Sequence, residues 1–225
     1  MNMRKKTLKK IELGAEFVVS VVIAECGFFL WDRMDRFIPL LFILAGIYYC
    51  STALLELDRL DWDIVVCIDM DGCLAEFRPE ATDEQLRSEK YYEELSPTWN
   101  LIKAVRFLEK EATVMVVTKI LSDPAKKGKG KFLINVGLEG IEAVYVPNDK
   151  NKADFIKRSP RTIYVLVDDY SHNLRQWEKA GNVAVKFLNG INGTKGTWKG
   201  KPSVSYYQTP EKIAAGIIDA AYASK

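Results

Sequence analysis

Residues 37–55, FIPLLFILAGIYYCSTALL, run for nineteen positions without a charge. As a helix they extend about 28 Å, close to the ~30 Å hydrocarbon core of a bilayer. Residues 13–31, LGAEFVVSVVIAECGFFLW, form a second apolar stretch, broken by Glu16 and Glu25. A carboxylate near the bilayer centre costs roughly 2.5–3.5 kcal/mol, so this span is the weaker of the two. DRMDR, residues 32–36, separates them, and residues 1–10 carry five positive charges and no negative one. The expectation is a helical hairpin in the cell membrane with DRMDR outside. The positive-inside rule then keeps the basic amino terminus and the remainder of the chain on the cytoplasmic side. Phe28, Phe29, Trp31 and Phe37 cluster at the turn, as an interfacial aromatic belt does. Two alternatives stay open: a soluble, buried helix pair, or a single span at 37–55. A cleaved signal peptide fits poorly, because a second apolar segment follows and no small-x-small site is clear.

Composition narrows the rest. The chain has 225 residues and a net charge of +2, so a polybasic nucleic-acid binder is not expected. Its one histidine, His172, excludes multi-histidine metal cages and disfavours serine or cysteine triads. The four cysteines (Cys26, Cys50, Cys67 and Cys73) form no CxxC pair and lie in or beside apolar runs, which points to a reduced compartment.

From residue 61 the pattern changes. Short apolar runs recur at 64–68, 113–117, 143–146, 163–167 and 183–187, continuous rather than alternating. Such runs suit strands of a parallel sheet covered on both faces. Helical stretches fall between them, at 98–110, about 126–136, 151–158, 172–180 and 210–221. The expected fold class is therefore α/β, a doubly wound parallel sheet, preceded by the hairpin at 1–60. Ligands of open parallel sheets bind beyond the carboxyl ends of the strands. Those positions hold Asp69-Met70-Asp71-Gly72, Thr118-Lys119, the loop with Lys150 and Lys152, and Asp168-Asp169. Carboxylates, a hydroxyl and an ammonium together can hold a hard cation and a phosphate.

VVCIDMDGCLAEF (65–77), YVLVDDYSHNLRQWEKAG (164–181) and VKFLNGINGTKGTW (185–198) carry a resemblance. In this order they resemble the haloacid dehalogenase-like phosphohydrolases, and within them the 5'(3')-deoxyribonucleotidase-like branch. The resemblance spans roughly residues 61–220. It implies a Mg²⁺-dependent phosphomonoesterase acting on a small phosphomonoester, a nucleotide in this branch. Asp69 would be the nucleophile and Asp71 the general acid and base. Thr118 and Lys152 would bind phosphate. Mg²⁺ would be held by the Asp69 carboxylate, the Asp71 carbonyl and Asp168. Lys150 competes with Lys152, and Asp169 with Asp168, for these roles.

The chain departs from that pattern in two places. Cys73 stands where the family has Thr or Val, which reads as packing. Only a small cap, about 75–97, fits between the first two motifs, which implies a more open site and puts a mononucleotide substrate in question. Two other readings therefore remain: a membrane-tethered phosphatase of a lipid or macromolecular phosphate, and a catalytically weak binding module. Lys119 and the KKGKGK run at 126–131 could lie near the site and attract anions, but the run reads first as a solvated basic loop, His172 as a surface residue, and Asn192-Gly193-Thr194 as a chance glycosylation pattern.

Overall fold

The two apolar segments are helices α1 (Met3–Leu30) and α2 (Phe37–Leu60). They belong to a computed structural model that describes residues 3–31, 37–60, 62–191 and 198–224. Small residues bring the pair together. A Cβ on Gly46 would lie 2.7 Å from the Ala24 Cβ and 2.8 Å from the Ser20 carbonyl oxygen. One on Gly27 would lie 2.8 Å from both Ile43 and the Pro39 carbonyl oxygen. Leu13, Ser20, Ile43 and Ala53 are buried. Outward, the pair is apolar: Val18, Val22, Phe28, Phe29, Leu44, Ile47 and Leu55 are exposed. Leu8–Leu30 and Ile38–Leu57 are long and apolar enough to cross a membrane, and only 17% and 22% of their apolar windows are buried. So little burial sets them apart from the core helices of a soluble protein. The DRMDR turn lies outside the described residues.

The chain divides into two compact units, Met1–Trp62 and Asp63–Lys225. The second is an α/β unit built on a six-stranded, all-parallel sheet. Its strands are β1 (Asp63–Ile68), β2 (Thr113–Ile120), β3 (Glu142–Pro147), β4 (Thr162–Asp168), β5 (Val183–Leu188) and β6 (Ser203–Ser205), in the order β3-β2-β1-β4-β5-β6. Successive side chains of a strand face opposite sides, and Ile163 through Asp168 are all buried. Both faces of β4 are therefore covered, which is why its sequence is continuously apolar. The chain steps outward from β1 to β3, returns to β4 beside β1, and steps outward the other way. That reversal opens a crevice at the carboxyl ends of β1 and β4.

The helices of this unit are α3 (Asp83–Leu86), α4 (Glu89–Glu93), α5 (Trp99–Leu108), α6 (Asp123–Asn135), α7 (Ser171–Lys179) and α8 (Pro210–Ala223). Two sequence expectations need correction. The stretch 151–158 holds only one 3₁₀ turn, Lys152–Phe155, after which Ile156 is extended. Strand β6 is an addition to the expected five, since Ser-Val-Ser buries one side chain and is too short to show a pattern. The expected cap at 75–97 contains α3 and α4. Thr82 and Gln85 form a capping box on α3, and Ser88 caps α4. The cap docks through glycine: Gly128 of α6 sits so close to the Glu89 carbonyl that a Cβ would collide with it.

Candidate active site

β1 and β4 end side by side, with Ile68 paired to Val167 and the Asp69 amide bonded to the Val167 carbonyl at 2.9 Å. Their next residues are therefore forced together. Carboxylate oxygens of Asp69, Asp168 and Asp169 lie within 4.8 Å of one another, and all three residues are buried. The buried Lys152 ammonium donates to Asp69 Oδ1 at 2.8 Å and Asp168 Oδ2 at 2.7 Å. Asp168 is further held by the Tyr170 amide (2.7 Å) and by Asn173 Nδ2 (3.0 Å). Asn173 Oδ1 is buried and has no partner among the described residues. Asp169 Oδ2 accepts from Asn189 Nδ2 at 3.0 Å, and the same amide donates to the Gly72 carbonyl at 2.7 Å. Gly72 has φ +74°, and a Cβ there would run into the Asp169 carboxylate, so glycine is required twice over.

A second cluster adjoins the first. Lys129, on α6, is fully buried. Its ammonium donates to the Asp71 carboxylate, to Thr118 Oγ1 at 2.8 Å and to the Lys119 carbonyl at 2.7 Å. It also lies 4.8 Å from the centre of the Tyr92 ring, contributed by the cap. Asp69, Asp168 and Lys152 thus come together directly, while Thr118 and Asp71 are joined through Lys129. Lys150 stays at the surface, paired with Asp149 at 3.0 Å.

Lys129 is the site residue that sequence reasoning misses. The KKGKGK run is not a solvated loop but falls within the helix expected at about 126–136. It lies in α6, whose buried face is Ala125, Gly128, Lys129, Phe132 and Leu133. That helical spacing puts Lys129 in line with the apolar positions and leaves Lys126, Lys127 and Lys131 outside. His172 is exposed on α7, as expected. Asn192-Gly193-Thr194 lies outside the described residues.

Four carboxylates and two ammoniums share this pit, a net charge of −2 when all are ionised. At about 4 Å a like-charge pair costs on the order of 4 kcal/mol at an effective dielectric near 20. Burial pushes the Asp71 carboxyl up, with repulsion from Asp69 adding to it, against the pull of Lys129. Burial also drives Asp168 up to about 6, with Lys152 pulling down and Asp69 pushing up. Lys152 resists its own burial because Asp168 and Asp69 hold it charged. Cys67 is raised to about 12 by burial, and Cys73 is also raised, again chiefly by burial. Such thiols are packing groups rather than nucleophiles.

The arrangement suits a divalent cation. It offers hard oxygen donors from separate strands and an excess of negative charge that a cation would offset. In comparisons with known proteins, no protein-family model and no curated protein matches the chain.

Proposed function

We propose that the chain is a Mg²⁺-dependent phosphomonoester hydrolase of the haloacid dehalogenase-like type, anchored in a membrane by its first two helices. One observation carries this reading: Lys152 bridges Asp69 and Asp168 at the ends of adjacent parallel strands, beside the linked group Thr118–Lys129–Asp71. Asp69, the Asp71 carbonyl, and Asp168 or Asp169 would hold the ion. When bound, it neutralises the phosphate and polarises its oxygens.

Asp69 attacks phosphorus in line. The P–O bond to the alcohol breaks as Asp71 gives its proton to the departing oxygen. Water then attacks the aspartyl phosphate, Asp71 takes a proton from it, and the Asp69–phosphate bond breaks to release inorganic phosphate. A raised Asp71 carboxyl suits the acid step. Lys152 and the Thr118 hydroxyl would bind the phosphoryl oxygens, while Lys129, whose three N–H groups go to Asp71, Thr118 and the Lys119 carbonyl, would hold Asp71 and Thr118 in place. Lys129 adds a second ammonium to the set that the motifs imply.

The resemblance favours a nucleotide substrate. A second reading, a lipid or membrane-bound phosphate, is favoured by the exposed apolar surface of α1 and α2 and by the two residues that separate α2 from β1. The basic amino terminus argues for the cytoplasmic side. The test is phosphate release by the full chain in detergent, with Mg²⁺, from nucleotides, sugar phosphates and lipid phosphates. Release from at least one class is expected, abolished by EDTA and by Asp69→Asn. Metal-replete wild-type protein that hydrolyses none of them sinks the proposal.

A further inference from the structure

A second cleft opens at the carboxyl ends of β1, β5 and β6, with a volume of about 310 Å³. Glu76, Phe77, Thr98, Asn189, Tyr206 and Tyr207 line it. Gly72 and Asn189 also face the acidic cluster, so they form the partition between the two sites.

The lining specifies a ligand chemistry. Tyr206 and Tyr207 meet edge to face, with centroids 5.4 Å apart at 88°, so they present two differently oriented walls. Tyr207 is 82% exposed, with the Tyr206 ring against it. Phe77 adds a third aromatic ring, while Glu76 adds a carboxylate without an ion-pair partner among the described residues. Among the described residues, no lysine or arginine lines the cleft. Thr98 also lines the cleft, and its hydroxyl makes no cap bond to α5. A hydroxyl at a cavity wall that is not spent on a helix cap is open to a ligand's polar group.

These features exclude most occupants. An anion would face Glu76. A small inorganic cation would need several oxygen donors and would find one carboxylate. A neutral ring would leave that carboxylate unmatched. A cation whose charge is spread over methyl or methylene groups gains from both the ring faces and the carboxylate. We propose that this cleft binds a small organic cation, an alkylated or quaternary ammonium bearing a hydroxyl or similar polar group that reaches Thr98. The site stands apart from the hydrolase reading, since occupancy is measured without turnover.

The test is calorimetric titration of the full chain in detergent with choline, with tetramethylammonium, and with 3,3-dimethylbutan-1-ol, the neutral carbon analogue of choline. Saturable heats are expected from both cations. The neutral analogue is expected to bind at least about tenfold more weakly. Glu76→Gln and Tyr207→Leu are each expected to weaken choline about tenfold, and Thr98→Val to weaken choline more than tetramethylammonium. Glu76 and Tyr207 are exposed, so these variants keep the wild-type thermal midpoint. Failure of both cations to saturate, equal binding of the neutral analogue, or unchanged affinity in Glu76→Gln and Tyr207→Leu overturns the proposal.

Discussion

Lys129 holds its ammonium against the Asp71 carboxylate from inside the fold: the lysine side chain is fully buried, whereas the aspartate side chain is 33% exposed. The two sides of the pair are therefore unequal. In Lys129→Met the carboxylate can turn to water, and the methionine fills the space beside Tyr92. In Asp71→Asn a buried ammonium loses its counter-charge and keeps only neutral acceptors, the Thr118 hydroxyl, the Lys119 carbonyl and the asparagine amide oxygen. Urea unfolding in EDTA is expected to show a loss on the order of 3 kcal/mol for Asp71→Asn and about 1 kcal/mol for Lys129→Met. Equal or reversed losses would mean that the ammonium is not held by Asp71.

Asp168 sets a pH dependence with a definite sign. Its carboxyl is raised from 3.8 to about 6. Below pH 3.8 both folded and unfolded forms are protonated, so it contributes nothing there. Between about 4 and 6 the folded form keeps a proton that the unfolded form has released, so stability falls as pH rises through that window. Above it the full cost remains. Thermal midpoints in EDTA should therefore fall more steeply from about pH 4 to about pH 6 in wild type than in Asp168→Asn, and Mg²⁺ at neutral pH should recover the loss in wild type. Parallel pH profiles for the two proteins would contradict the assignment.

Gly128 inverts a general rule. Glycine to alanine inside a helix normally stabilises by about 1 kcal/mol. At Gly128 the new methyl would meet the Glu89 carbonyl of the cap, whereas at Gly130 its closest neighbour is Tyr145 Oη at 3.4 Å. Gly128→Ala is expected to destabilise by about 1–3 kcal/mol and to speed proteolysis within 75–97. Gly130→Ala, on the same helix, is expected to be neutral or stabilising. Thermal unfolding of the two variants side by side decides the matter, and a gain at both positions would show that the cap does not press on α6.

The sheet is legible in the sequence because its strands report their own burial. Runs such as Ile64–Ile68 and Ile163–Val167 are apolar on both parities, and each is followed by the residues that form the site. Asp69 and Asp168 follow from that rule alone, because the carboxyl end of a strand is fixed by the strand. Lys129 escapes it because a lysine among lysines and glycines looks solvated. Its burial follows from the register of α6, where it falls between Ala125 and Phe132 on one face. Asn189 and the Tyr206–Tyr207 pair are out of reach for another reason: their roles depend on β5 and β6 ending at the same edge of the sheet as β1, on the far side of β4, a relation between distant segments. The turn at Lys152–Phe155 looks like a longer helix in sequence because its anchor is not local periodicity. It is the pull of Asp69 and Asp168 on Lys152.

The hairpin can be tested through its own glycines. Gly46 sits where Ala24 and the Ser20 carbonyl close on it, while a Cβ on Gly14 would meet nothing within 4 Å. Valine costs the same helix propensity at both places, so any difference between them reads packing alone. Gly46→Val is expected to lose about 1–3 kcal/mol of helix-pair stability, read as an earlier loss of far-ultraviolet ellipticity when the full chain is heated in detergent. Gly14→Val is expected to leave that melt unchanged. Both variants should stay in the membrane pellet after an alkaline carbonate wash, because each adds apolar surface to a span and removes none. Release of wild-type protein by that wash would remove the membrane reading, and equal melts for the two variants would remove the close helix contact.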